Sequence, residues 1–289
     1  MDYYDLGPYS RKITTTLPEA QLWFDRGLNW LYGFNHAEAI ACFQKTLEHD
    51  PGCAMAHWGI SYAAGPNYNL PWHLYDPAGK AAALAVAYDA MQGALARVER
   101  ASPVEQALIR ALPARYPQRE AIEDQAPWDA AYADAMRAVF GAHRDDLEVR
   151  HVFVESLMNL TPWKMWDLKS GGVAEGAGTL EAMDVLEGPL RDTPATWDHP
   201  GLLHLYVHLM EMSAHPEQAL GPADVLRTLV PDAGHLLHMP THLDVLCGDY
   251  ARVVAGNDAA IAADERCAAH AGDVGFYALY RAHDHHFRI

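Results

Sequence analysis

Most of this chain reads as helix. Segments 78–100, 127–142 and 146–160 are alanine-rich and helical by propensity. Segments 54–64 and 200–213 carry apolar residues at helical rather than strand spacing. Nowhere do apolar and polar positions alternate long enough to suggest a sheet. Pro103, Pro113, Pro117 and Pro127 punctuate helix starts and ends, since proline cannot continue a helical hydrogen-bond ladder. Gly171, Gly172, Gly176 and Gly178 mark a loop after the segment carrying Trp163 and Trp166, two tryptophans expected in the core. The pattern predicts an all-α protein.

Near the N-terminus the helices fall into a repeat. Trp23, Gly27, Trp30, Ala39, Phe43 and Pro51 stand at offsets that resemble the tetratricopeptide repeat, with Arg26 where a leucine is usual. Small residues let paired helices approach, aromatics fill the seam, and Pro51 ends the second helix. Toward the C-terminus, Pro231 closes a unit beginning near Pro200, with Ala219 and Ala223 in its second helix. A following unit begins near Gly234 and carries Gly248, Tyr250 and Ala260. The expected architecture is a tetratricopeptide-like helical array, an α-solenoid of antiparallel helix pairs in one domain over 1–289. Repeats occupy 17–70, less regular helices 71–198, and histidine-rich repeats 199–289.

Composition changes that picture at one point. Of the 17 histidines, 11 follow residue 198. His204, His208 and Glu211 are spaced i, i+4, i+7 and share one helix face; His235, His238 and His242 do so at i, i+3, i+7. His204 and His238 are one repeat of 34 residues apart, as are His208 and His242, so equivalent positions of neighbouring helices carry imidazoles. A third group, with His283 and His286 at i, i+3, closes the chain. Neutral imidazole is a ligand for zinc, copper, iron and nickel, and needs a partner on its second nitrogen; Glu211, Asp244 and Asp284 are candidates. The expected metal ligands are His204, His208, His238, His242, His283 and His286, in one crowded centre or two centres of three. Glu211 and Glu155 are the candidate catalytic carboxylates. His235 would line the substrate site, as would Asn67 and Tyr68 from the loop Gly65-Pro66-Asn67-Tyr68-Asn69. The rival explanation is a packing motif inherited by repeat duplication.

The charge balance narrows the partners. With 21 Lys and Arg against 38 Asp and Glu, net charge is −17, which argues against a nucleic-acid partner. No apolar run approaches the ~20 residues of a membrane span. Met1-Asp2-Tyr3-Tyr4-Asp5 has neither the basic start nor the apolar stretch of a signal peptide. Cys42, Cys53, Cys247 and Cys267 form no CxxC pair, so a reducing, cytoplasmic home is expected. Neither Ser213 nor these cysteines have a nucleophile context, and no P-loop, GxGxxG or GxSxG pattern occurs.

His204-Leu205-Tyr206-Val207-His208-Leu209-Met210-Glu211, His235-Leu236-Leu237-His238-Met239-Pro240-Thr241-His242 and Glu155-Ser156-Leu157-Met158-Asn159-Leu160-Thr161-Pro162-Trp163 resemble a bacterial group of tetratricopeptide-repeat proteins. The likeness runs over most of the chain. It implies the helical fold and, for the histidine-bearing first helices, a place along the concave groove. The residues themselves point to a metal-dependent enzyme, an oxidoreductase with copper or iron, acting on a small-molecule or peptide substrate. Carboxylate ligands would tip the metal from copper toward iron. Zinc, with Glu211 as base, would make a hydrolase. A peptide-binding groove without catalysis is the alternative from a different class.

Overall fold

A computed structural model describes residues 3–272 and 277–289. Its helices are, in chain order, α1 (Pro18–Tyr32), α2 (His36–His49), α3 (Ala54–Ala64), α4 (Pro77–Leu95), α5 (Pro103–Arg115), α6 (Ala126–Ala142) and α7 (Leu147–Met158). They continue with α8 (Thr179–Asp192), α9 (Pro200–Met210), α10 (Leu220–Leu229), α11 (Gly234–His238), α12 (Pro240–Cys247), α13 (Tyr250–Ala271) and α14 (Tyr277–Phe287). The protein is all-α. Among the described residues the sheet is one two-stranded hairpin, Trp166–Asp167 against Gly172–Val173, in the glycine-marked loop. No described helix is long and apolar enough to cross a membrane.

Helix starts follow local chemistry. Asn35, Asp76, Asp146 and Asp249 each accept a hydrogen bond from the first turn of the helix they precede. Pro51 follows α2, as the spacing predicts. The ring of Phe43 fills the seam among α1, α2 and α3. A Cβ added to Gly27 would lie 2.5 Å from that ring, and one added to Gly59 would lie 2.7 Å from it. Hemmed from both sides, Phe43 cannot retreat. Gly59→Ala should therefore destabilise the fold by about 1–3 kcal/mol through overpacking. Phe43→Ala should cost about 3–5 kcal/mol through the cavity it leaves. Denaturant midpoints check both, and a neutral Gly59→Ala would mean that the seam is loose.

Helices adjacent in sequence pack on one another through much of the chain, yet α9 also packs against α1, α7 and α8. Every residue of α9 is buried, and the helix is apolar nearly all round, as a central helix must be. One hydrophobic cluster runs from Leu6 to Tyr280. His204, His208, His235 and His238, expected along a concave groove, are all buried. Two helix bounds also differ from the sequence pattern. The helix expected over 200–213 ends at Met210, with Glu211 as its C-cap, and Pro240 splits the next histidine helix into α11 and α12. Close approach of α11 to α13 depends on Gly234, where a Cβ would meet the Asp264 carboxylate at 1.9 Å.

Candidate metal centre

The histidines gather into two triads. His204 and His208 from α9 meet His235 from α11; His238 from α11 and His242 from α12 meet His283 from α14. Within each triad one nitrogen per ring lies within 4.8 Å of the others. Histidines 34 residues apart, His204 with His238 and His208 with His242, therefore fall in different triads. His235 and His238, three residues apart on α11, stack at 6.2 Å and place the triads side by side.

Hydrogen bonds to the far side of each ring decide where the lone pairs point. His204 Nδ1 is 2.6 Å from the Tyr32 carbonyl oxygen, a pure acceptor, so Nδ1 carries the proton and Nε2 the lone pair. His208 Nδ1 donates to Glu211 Oε1 at 2.7 Å, and His242 Nδ1 faces Glu211 Oε2 at 2.5 Å. His238 Nδ1 lies 2.7 Å from Asn257 Oδ1. The Asn257 amide is oriented by its own nitrogen, which donates to Thr241 Oγ1 and to the Val253 carbonyl. Four rings are thus set with Nε2 as acceptor.

Two of those acceptors, His204 Nε2 and His208 Nε2, are buried without a donor, and each such group costs about 1–3 kcal/mol. In His235 the Nε2 faces the Asn69 side-chain nitrogen, a donor, at 3.5 Å, and Nδ1 is buried without a partner. In the second triad His238 Nε2 and His242 Nε2 are 2.8 Å apart, with His283 Nε2 3.5 Å from His242 Nε2. Two lone pairs at that distance repel unless a cation, either a proton or a metal ion, sits between them. Metal bonds of about 2.0–2.1 Å would need only side-chain adjustment of such sets.

Electrostatics favour neutral rings. Burial pushes His204, His235 and His238 well below the ordinary histidine value, and neighbouring imidazoles push them further. Burial would raise the Glu211 carboxyl, but His242 and His208 outweigh it and hold it well below the usual carboxylate range. Glu211 ties one histidine of each triad to a single carboxylate. Its position at the C-terminal end of α9, unfavourable for an anion by itself, is compensated by those two contacts. Asp284 Oδ1 lies 3.1 Å from His238 Nδ1, and burial together with the facing Asp264 raises its pKa.

Two residues outside the histidine pattern hold the first triad. Phe34 and Trp163 are the non-glycine residues with positive φ among those described, at 55° and 61°. Both rings lie 5.8 Å from His208, Phe34 stacked and Trp163 edge-on. Phe34 also packs on His204 and His235. Backbone strain of this kind persists where the surroundings over-determine it, which fits a preorganised site. Trp163 is also a correction: expected in the core, it is 38% exposed.

A cavity of about 220 Å³ opens beside both triads, lined by Asn69, Trp163, His208, His235, Met239, His242, Leu279, Tyr280 and His283. His235, expected along the substrate site, does line it and belongs to a triad as well. His286 is exposed and in neither triad. Tyr68 is buried beneath the lining, its ring against His208 and Trp163. Asn67 turns away: its Oδ1 accepts the Asn69 and Leu70 amides and it lines a different cavity with His36. Glu155 lines neither triad nor cavity; it accepts a hydrogen bond from the Tyr62 hydroxyl. Asp244 pairs with Arg227 at 2.7 Å rather than with a histidine. Asn69, Met239, Leu279 and Tyr280 had no separate signal in the sequence, being ordinary residues until the chain brings them together. The chain matches no protein-family model, and no curated protein matches it.

Proposed function

We propose that this protein is a metal-dependent oxidoreductase, with one transition-metal ion in each histidine triad and both ions facing one small cavity. The observation that carries the reading is the convergence of ring nitrogens in two triads, in which His204 and His208 present Nε2 lone pairs that no donor satisfies and His238 and His242 present theirs 2.8 Å apart. His204, His208 and His235 would hold one ion, and His238, His242 and His283 the other. Side by side, two redox-active ions would supply the two electrons that an oxidation or dioxygen reduction needs. All-imidazole sets favour copper over iron, because Glu211 uses both its oxygens on His208 and His242 and Glu155 is elsewhere.

The chain's own residues contribute positioning. Glu211 and Asn257 keep three rings in the binding tautomer, and the Tyr32 carbonyl keeps a fourth. Phe34 and Trp163 exclude water from the first triad. Glu211 acts here as an orienting carboxylate rather than a base, which weakens the hydrolase alternative. The peptide-groove alternative loses support because His204, His208, His235 and His238 are buried and the cavity beside them is small, about 220 Å³.

Elemental analysis of untagged protein purified without chelator should find two copper ions per chain, with oxygen uptake on addition of a reductant. No transition metal after reconstitution would remove the metal reading. Zinc alone, with no bound copper after challenge, would remove the oxidoreductase reading and favour hydrolysis.

A further inference from the structure

The lining of the cavity beside the triads is specific about what fits. Its lining combines apolar or aromatic side chains, Trp163, Met239, Leu279 and Tyr280, with the imidazoles of His208, His235, His242 and His283. Trp163 and Leu279 are both exposed large apolar side chains, so the mouth opens between apolar lips. Trp163 is held in place by stacking on Tyr68 at 5.3 Å, and Tyr280 by packing on His235 at 4.3 Å. Two rigid aromatic rings thus stand at the cavity before any ligand arrives.

Charge removes the ionic candidates. No Lys or Arg lines the cavity, so an anion would find no fixed counter-charge, and the −17 net charge of the chain repels it at a distance. A cation would approach a centre that itself holds cations. Among the lining residues the Asn69 side-chain oxygen is buried without a donor, while its amide nitrogen faces His235 Nε2 at 3.5 Å. That oxygen needs a donor. Size sets the last limit. A cavity of about 150 Å³ suffices for benzene, so about 220 Å³ accommodates one six-membered ring with a short substituent.

Resting on the metal-centre reading, we infer that the substrate is a neutral compound with one six-membered aromatic ring and one hydroxyl or amine substituent. The ring lies against Trp163 and Tyr280, and the substituent points to Asn69 and the triads. Aromatic contacts of this kind discriminate by a few-fold to about tenfold between a flat ring and a saturated one.

The test uses the full chain loaded with zinc, which is redox-silent, and the metal-free chain in parallel. Binding of benzyl alcohol, cyclohexylmethanol and 2-naphthalenemethanol is measured by saturation-transfer NMR with competition, and zinc content by elemental analysis. Benzyl alcohol should bind threefold to tenfold tighter than cyclohexylmethanol, and 2-naphthalenemethanol should fail to compete. Trp163→Ala should weaken benzyl alcohol at least threefold more than it weakens cyclohexylmethanol. Leu279→Ala, at the other lip, should widen the mouth and let 2-naphthalenemethanol compete. Equal binding of all three alcohols, or unchanged binding in both variants, overturns the inference. Two zinc ions with no alcohol bound overturns the substrate class and leaves the metal centre standing. Ring-selective binding by a chain that takes up no zinc when offered it leaves the ring seat standing and overturns the metal reading.

Discussion

His208→Ala should leave one metal ion per chain instead of two, and His242→Ala should do the same at the other triad. The double variant should bind none. Two separate triads require this stepwise loss, whereas a single crowded centre would lose everything with either histidine. Glu211→Gln has a different expected result. A glutamine amide offers one oxygen and one NH2 where Glu211 offers two acceptor oxygens, so one of the two facing rings must reverse its tautomer. That ring then turns an N–H toward its triad. Loss of such an orienting partner costs roughly 10–100-fold in metal affinity. Metal bound only by the folded chain stabilises by about 4 kcal/mol when free metal exceeds Kd a thousandfold, which is on the order of 10 °C in Tm for a chain of this size. His208→Ala and His242→Ala should each forfeit their share of that gain. His49, exposed on α2, and His143, after α6, serve as controls whose replacement by alanine changes neither metal content nor Tm. Retention of two ions in both triad variants would show that the constellation is packing.

Acid should release the metal together with the fold rather than in a titration centred on the ordinary histidine pKa. Burial lowers His151 to about 3 and His36 to about 4, and holds His204, His235 and His238 well below 6.5. In the unfolded chain these groups titrate near 6.5. Between that value and the depressed folded values the unfolded chain binds more protons. Their contribution to stability is therefore complete above about 6.5 and is lost as pH falls toward the folded values. At pH 5 each such histidine has withdrawn about 2 kcal/mol. Glu148 and Asp129, both raised to about 7 by burial, work the other way. They destabilise the fold as pH rises from their unfolded values to about 7, so acidification relieves part of the loss. More histidines than carboxyls are shifted this far, and the bound ions add their own proton competition. Metal content should stay level from pH 8 to about 5.5 and then fall in one step with the helical circular-dichroism signal. A gradual loss of metal around pH 6.5 with the helix signal intact would mean that the triads are solvated, contrary to their burial.

Helix placement was legible in the chain, because it follows from local rules. Composition, proline punctuation and apolar spacing place 54–64, 127–142 and 146–160 within a few residues of α3, α6 and α7. The 34-residue register of His204 with His238 and of His208 with His242 picked out four of the six histidines that the structure groups into triads, since residues that share a helix face share it wherever the helix packs. How those faces were combined was not local. That His235 joins the α9 pair while His238, three residues on, joins α14 depends on the crossing of α9, α11 and α14, and no spacing within one helix encodes it. Glu211 reads in sequence as another member of the His204–His208 face; only tertiary packing brings the repeat-equivalent His208 and His242 to its two oxygens. The same holds for the donors and acceptors that fix the tautomers, Tyr32 from α1 and Asn257 from α13, each far along the chain from its histidine. Helices come from interactions within a few residues and can be read from the chain. The histidine triads come from contacts between helices distant in sequence, and only the packing of α9, α11, α12 and α14 decided them.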